Sequence, residues 1–468
     1  MSFNPRYISE LKDFLSFPTV SSDSTKKKDI QRCAQWLATH LQKTGLKKVK
    51  IFQTRLHPLV YAEYTVSPEL PTILFYGHYD VQPAIPLQKW KLEPFSPVVK
   101  GDYIYGRGTA DDKGQLFIHI KAIEEVLKKT GKLPVNVKCL FEGEEEIGSP
   151  NLPDFIRRNK EYLKCDAAVV SDTKMLSMGQ PAITYSLRGT LNMEITITGK
   201  NKELHSGSYG GMVYSPLQVL CEVVSKLYTE KSRISIPGFY ADVENLTINE
   251  KKYMAKVGPS DERMLKEAGT DRNWGEEGYS NFEKITVRPA ISITTIKGGY
   301  QGEGFKNVIP ASASIKLNVR LVPNQNPLKI EKLLMNYFTE MVPRGFELKF
   351  NTASKAKPVL LSIKSPYIKA ASESYKEVFG KSPVFLRSGG TIPVVNMFKD
   401  FLKAPTILMG FGLPSDNIHA PNENFHLPTF FKGIQTSISF MKNVSAIKKA
   451  ENSSSPETLL QEIFNTTN

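Results

Sequence analysis

Ile73-Leu-Phe-Tyr-Gly-His78-Tyr-Asp80, Val135-Asn-Val-Lys-Cys-Leu-Phe-Glu142-Gly-Glu-Glu145-Glu146 and Ala167-Ala-Val-Val-Ser-Asp172 are three apolar runs, each closing on a residue able to hold a metal ion. They read as buried strands. In an open α/β sheet, ligands bind just beyond the carboxyl ends of the strands. Histidine and carboxylates gathered at such ends therefore predict a hydrolytic metal centre.

Outward from these runs the chain keeps a βα grammar. Residues 5–46 carry Ile8, Leu11, Phe14 and Leu15, then Ile30, Cys33, Trp36, Leu37 and Leu41, at helical spacing. Gln115 to Lys128 reads as an amphipathic helix with Leu116, Phe117, Ile120, Ile123, Val126 and Leu127 on one side and Gly131 past its end. Alternation of strand, loop and helix through residue 172 predicts a mostly parallel sheet and an α/β fold. The texture changes around Leu187-Arg-Gly189. Asn192 to Thr198 alternates like a half-buried strand, a long charged segment covers Tyr240 to Glu283, and strands are expected at Ile291–Ile296 and Ala313–Val322. This block predicts an inserted α+β domain over residues 187–356, between two parts of a first domain at 1–186 and 357–445. Residues 446–468 read as a tail.

At 468 residues the chain is too long for one ordinary core, and 40% hydrophobic with 23% charged residues describes a globular protein. No apolar stretch reaches membrane-spanning length. No uninterrupted apolar segment near Met1 suggests a secretory signal, so the expected compartment is the cytoplasm. The four cysteines, Cys33, Cys139, Cys165 and Cys221, form no CxxC pair, which argues against a disulfide framework or a cysteine-rich zinc site. A net charge of +14 raises the question of nucleic acid. The lysines are scattered, as in Lys26-Lys-Lys28 and Lys251-Lys252, without interleaved aromatics or a nucleic-acid motif, so a solvated basic surface is expected.

Each element of the constellation has a bland alternative. His78 and Asp80 share a strand face, and a lone pair of this kind is often only hydrogen-bonded. The loop Tyr105-Gly-Arg-Gly-Thr-Ala-Asp111-Asp112-Lys-Gly114 is not a phosphate cradle, since it lacks Gly-Lys-Ser/Thr and ends in two acids. A helix N-cap explains one of those acids but not both. Glu142-Gly-Glu144-Glu145-Glu146 resembles a solvated charged turn, yet at a strand end its repulsion is costly without a cation. Asp172 closes a third strand, and His419 follows a fourth, Thr406–Gly410. The remaining histidines, His40, His57, His119 and His426, fall outside these motifs.

The motifs Gly77-His-Tyr-Asp80-Val-Gln-Pro, Gly106-Arg-Gly-Thr-Ala-Asp-Asp-Lys-Gly114, Glu142-Gly-Glu-Glu-Glu-Ile-Gly-Ser149, Leu204-His-Ser-Gly-Ser-Tyr-Gly-Gly211 and Arg387-Ser-Gly-Gly-Thr-Ile-Pro393 together resemble the M20 family of metallopeptidases, in its cytosolic nonspecific dipeptidase and carnosinase branch. The likeness runs from about residue 5 to 445, in the family's order. It implies a catalytic α/β/α domain with a mixed sheet and an inserted α+β lid and dimerisation domain. It implies two divalent ions, most simply Zn²⁺ with Mn²⁺ or Co²⁺ as alternatives, one held by His78 and Asp172 and the other by Glu146 and His419, with Asp111 bridging. Glu145 would be the general base and Asp80 the acid that orients His78. The Asp111–Asp112 peptide is expected to be cis. His205, supplied by the partner of a homodimer, and Asn307 would hold the scissile carbonyl or the substrate. Arg320, with Ser388, Gly389, Gly390 and Thr391, would take the terminal carboxylate of a small peptide; Thr391 stands where relatives often have Ser. Dipeptide hydrolysis is the implied activity, with N-acyl-amino-acid deacylation or carboxypeptidase action as alternatives; nucleic acid and membrane are not expected partners.

Overall fold

The computed structural model describes residues 4–200 and 202–447, so the expected tail lies outside the described residues from 448 onward. The chain divides into two compact units: one from the amino terminus to Tyr185 with Leu361–Leu386 and from Ile392 onward, the other from Ser186–Leu360 with Arg387–Thr391. No described helix is long and apolar enough to cross a membrane.

The first unit is built on a mixed sheet ordered Lys47–Phe52, Leu59–Tyr64, Asn136–Glu142, Thr72–His78, Ala167–Val170, Thr406–Leu408, Ala182–Leu187. Only the central four strands run parallel; Leu59–Tyr64 and Ala182–Leu187 flank them antiparallel. The mostly parallel sheet expected from the sequence is thus confined to the centre. The flanking strands reverse because they are not joined by helical crossovers, and only antiparallel neighbours can do without them. Side chains alternate across this sheet. Ile73, Phe75, Val137, Cys139 and Phe141 join a core with the helices Pro5–Leu15, Lys27–Thr44, Lys113–Thr130, Pro366–Phe379 and Leu427–Ser445. Tyr61 and Tyr76 point the other way, against Tyr162 and Phe398. Helices therefore cover both faces, as an α/β/α domain requires.

The helix Lys113–Thr130 departs from the amphipathic expectation. Every residue from Lys113 to Glu124 is buried, because this helix is packed by Pro5–Leu15, Lys27–Thr44 and Leu427–Ser445 as well as by the sheet. Gly131, with φ 74°, ends it in the left-handed region.

The second unit is a four-stranded antiparallel sheet, ordered Ala290–Gly298, Ser312–Leu321, Gly189–Thr198, Glu347–Ala356. Gly189–Thr198 alternates strictly between buried and half-buried residues. Its inner face, Leu191, Met193, Ile195 and Ile197, packs on Val219, Leu220 and Val223 of the helix Pro216–Ser225 and on Ile330, Leu334 and Phe338 of Pro327–Met341. Each such side chain contributes about 1.5–3 kcal/mol when fully buried. The charged stretch Tyr240–Glu283 contains the short helices Ile248–Val257 and Asp261–Ala268 and the start of Asn281–Thr286; Ser280 and Glu283 close the last with a capping box.

Candidate metal centre

Because the central strands are parallel and in register, their carboxyl ends lie along one edge of the sheet. His78 stands directly opposite Glu142, and Tyr76 opposite Val170. The helix that follows Asp112 packs closely against the His78 strand. A Cβ on Gly77 would meet Asp112 Oδ2 at 2.8 Å and Leu116 Cδ1 at 2.9 Å, so only glycine admits that approach. The backbone N–H of His78 donates to Asp112 Oδ2 at 3.2 Å, and the Asp111–Asp112 peptide is cis.

Asp111 lies between two histidines. Its Oδ1 is 3.0 Å from His78 Nε2, and its Oδ2 is 2.8 Å from His419 Nε2. Glu146 Oε2 is 3.4 Å from the same His419 nitrogen. Two groups of potential ligands result, His78–Asp111–Asp172 and Asp111–Glu146–His419, each with its donor atoms within 4.8 Å of one another. The shared member is Asp111, each of whose oxygens lies beside a different histidine.

The four acids after the Glu142 strand separate into two tasks. Glu142 is buried against the hydroxyls of Tyr76 and Ser149, and Glu144 accepts from the His57 backbone N–H at 2.8 Å and from Asn151 Nδ2 at 2.8 Å. Both are structural, leaving Glu145 and Glu146 for the centre. Their backbone N–H groups donate to Asp80, at 3.2 and 3.0 Å. His78 Nδ1 lies 3.1 Å from the Asp80 carbonyl and 3.4 Å from its carboxylate. Asp80 therefore fixes the acidic loop as well as the imidazole, as groups behind a metal's ligands commonly do.

The electrostatics fit a cation. Burial raises Asp172 and Glu145 well above the ordinary carboxylate range, reinforced by Asp111 on the first and by Glu146, Asp111 and Asp80 on the second. Hydrogen bonds to Asp111 and Glu146 push His419 up to about 10. His78 is raised as well: burial opposes this, but hydrogen bonds to Asp111 and Asp80 prevail. Glu146 Oε1 is buried without a hydrogen-bond partner. Oxygen and imidazole donors, one of them shared, suit a pair of divalent ions.

Two supports escaped the sequence reading. Glu423 is fully buried; its Oε1 accepts from Ala110 N at 3.0 Å and Asp111 N at 3.2 Å, its Oε2 from Gly108 N at 3.0 Å and Arg107 Nη1 at 2.7 Å. It binds the loop carrying Asp111 to the segment carrying His419; the only sequence signal was an acid four residues past that histidine. Gln82 donates to Glu146 Oε2 at 2.7 Å. None of the other four histidines touches a candidate ligand. His119, for example, joins Ser171 and Ser437.

The remaining expected residues belong to the second unit. His205 pairs with Val308 and caps the short helix Ser206–Tyr209, accepting from Gly207 N. Asn307 is its neighbour, its carbonyl accepting from Ser206 N at 3.0 Å. Arg320 Nη1 donates to Thr391 Oγ1 at 3.1 Å, and Thr391 in turn donates to the Arg188 carbonyl at 2.7 Å. Ser388 Oγ accepts from Gly390 N, and the Gly389 carbonyl accepts from Arg188 Nε at 3.2 Å.

Comparison with known proteins fits this arrangement. The model of peptidase family M20/M25/M40 matches residues 74–443. The chain belongs to that family. The metallopeptidase is 31% identical to the Cys-Gly metallodipeptidase dug1 of Schizosaccharomyces pombe, over 94% of this chain and 96% of that protein. It is 28% identical to the Beta-Ala-His dipeptidase of Mus musculus, over 83% and 80% of the two. Among solved structures, the M20 family metallo-carboxypeptidase Sso-CP2 of Sulfolobus solfataricus superposes with a TM-score of 0.85 at 34% identity, covering 94% of this chain and 99% of that one. Human carnosine dipeptidase 1 gives 0.82 at 26% identity, covering 95% and 96%.

Proposed function

We propose that this metallopeptidase hydrolyses dipeptides bearing a free terminal carboxylate, and that two Zn²⁺ ions serve it, with Mn²⁺ or Co²⁺ as substitutes. The observation that carries the reading is Asp111, shared between two donor groups beside Glu145. His78 and Asp172 would hold one ion, Glu146 and His419 the other, with Asp111 between them. When bound, such ions lower the pKa of a coordinated water from near 16 to about 7 and polarise a carbonyl. Glu145 takes the proton from the attacking water and delivers it to the departing amine. Asp80 keeps the loop of Glu145 and Glu146 in place through the two N–H bonds described above.

His205 and Asn307 would steady the scissile carbonyl oxygen. Arg320 and the Ser388–Thr391 turn would take the substrate carboxylate, where a guanidinium offers bidentate geometry. The second unit would also form a homodimer. Ala290–Gly298 is an edge strand with exposed Ile293 and Ile296, the kind of edge that pairs readily with another chain. A reducing, cytoplasmic setting suits four free cysteines.

The test is metal analysis of protein purified without chelator, followed by a panel of dipeptides, longer peptides and N-acetyl amino acids. Two divalent ions per chain and selective dipeptide turnover are expected. A second reading, carboxypeptidase action, is favoured by the Sulfolobus structure. Equal cleavage of tripeptides and longer chains from the carboxyl end would select it.

A further inference from the structure

Arg188 stands one residue before the strand Gly189–Thr198, at the end of a ladder in which Thr190 faces Arg320. Neither guanidinium has a carboxylate partner among the described residues: Arg188 donates to the Gly389 carbonyl, Arg320 to the Thr391 hydroxyl. Both are half-buried, and burial, with Arg320 repelling it, pushes Arg188 down to about 10. Burial likewise lowers Arg320. Cations drawn out of water normally recruit an acid; two half-buried ones linked through Thr391 without an acid suit an anion.

The turn over them is fitted to Arg188. A Cβ on Gly389 would lie 3.0 Å from Arg188 Nη2 and 2.6 Å from the Ile285 carbonyl. Thr391 ties the two arginines together, since its hydroxyl accepts from Arg320 and donates to the Arg188 carbonyl. Arg188 Nε is occupied by the Gly389 carbonyl, which leaves terminal N–H groups of both guanidiniums to meet a planar carboxylate.

We infer that Arg188 is a second cation of the carboxylate pocket, binding the substrate's terminal carboxylate jointly with Arg320 and so selecting free acids over amides. This rests on the dipeptidase reading proposed above. The pairing also explains why Arg188 is compatible with burial: a bound carboxylate relieves the repulsion between the two guanidiniums.

The experiment compares wild type, Arg188→Gln and Arg188→Lys as metal-loaded enzymes on one dipeptide and its C-terminal amide. Arg188→Gln should raise KM for the free acid about ten- to a hundredfold, the equivalent of about 1.4–2.8 kcal/mol, while kcat changes less than threefold and the amide is unaffected. Arg188→Lys should recover part of the loss. Equal effects on acid and amide, or a fall in kcat alone, would make Arg188 a structural support of the turn and overturn the inference. Thermal stabilisation by free glycine, measured on each protein with metal bound, gives a readout that needs no turnover. Stabilisation of wild type but not of Arg188→Gln would uphold the anion site even if no dipeptide were cleaved, which would sink only the dipeptidase reading. Equal stabilisation of both would remove the site.

Discussion

Two clusters in the first unit offer the same ligand chemistry and arrive at opposite outcomes. Glu10, His40 and Glu124 bring their donor atoms within 4.8 Å of one another, as do the groups around Asp111. In the first cluster a cation is built in. The fully buried Lys121 ammonium lies 2.5 Å from Glu10 Oε2, 2.6 Å from Glu124 Oε2 and 2.8 Å from His40 Nε2. In the second, no lysine or arginine pairs with any of the candidate ligands among the described residues; Arg107 is committed to Glu423 instead. A closed charge balance marks a structural cluster, and an open one marks a site that must import its counter-charge. The arginine pocket of the second unit repeats the open case with the sign reversed.

The comparison breaks most sharply on metal removal. Exhaustive chelation should abolish turnover and lower the thermal midpoint, with both restored by Zn²⁺ or Mn²⁺; Asp111→Ala should lose both ions at once, as metal analysis would read. Retention of one tightly held ion in Asp111→Ala would mean that the two groups are independent. Next in size is Glu145→Ala, expected to keep its metal while kcat falls by about a hundredfold to ten-thousandfold. Wild-type turnover in that variant would remove Glu145 from the mechanism. A smaller effect is expected for Glu423→Gln, which touches no candidate ligand side chain: about ten- to a hundredfold in metal affinity or activity, seen as a higher metal concentration for half-maximal rate.

What the sequence disclosed and what it hid follow one physical distinction. His78, Glu146 and Asp172 stood out as candidates because each terminates or follows an apolar run, and strand ends converge in a parallel sheet; Asp111, in a glycine-rich loop, took its expected role from the family motif alone. Glu423 did not stand out, since its partners Gly108, Ala110 and Asp111 lie more than three hundred residues away and a lone acid in a loop looks solvated. Lys121 falls on the polar side of the amphipathic helix expected from Gln115 to Lys128, yet it is buried, because the helix is enclosed by neighbours that periodicity within one segment does not reveal. Arg188 was passed over as part of a change in texture. Its meaning depends on a second arginine 132 positions later, whose place opposite Thr190 is fixed by strand pairing. Local pattern and motif thus marked candidate ligands, while the groups behind them depend on tertiary contacts.

The smallest effect tests the closed cluster and should leave catalysis alone. Burial by itself would raise Glu124, but hydrogen bonds from Lys121 and Lys128, the charge of Lys121 and a hydrogen bond from Arg6 hold it down to about 2, against an ordinary 4.5. The unfolded chain therefore takes up this proton at a higher pH than the folded one. The stabilisation is complete above pH 4.5 and drains away as pH falls from 4.5 toward 2. Glu124→Gln should be less stable than wild type at pH 7 by urea unfolding, and the gap should narrow through that acid window. At pH 7 its kcat/KM per folded molecule should equal wild type. A gap independent of pH would show that Glu124 acts through packing rather than charge, and a changed metal content would mean that the two clusters are not separate after all.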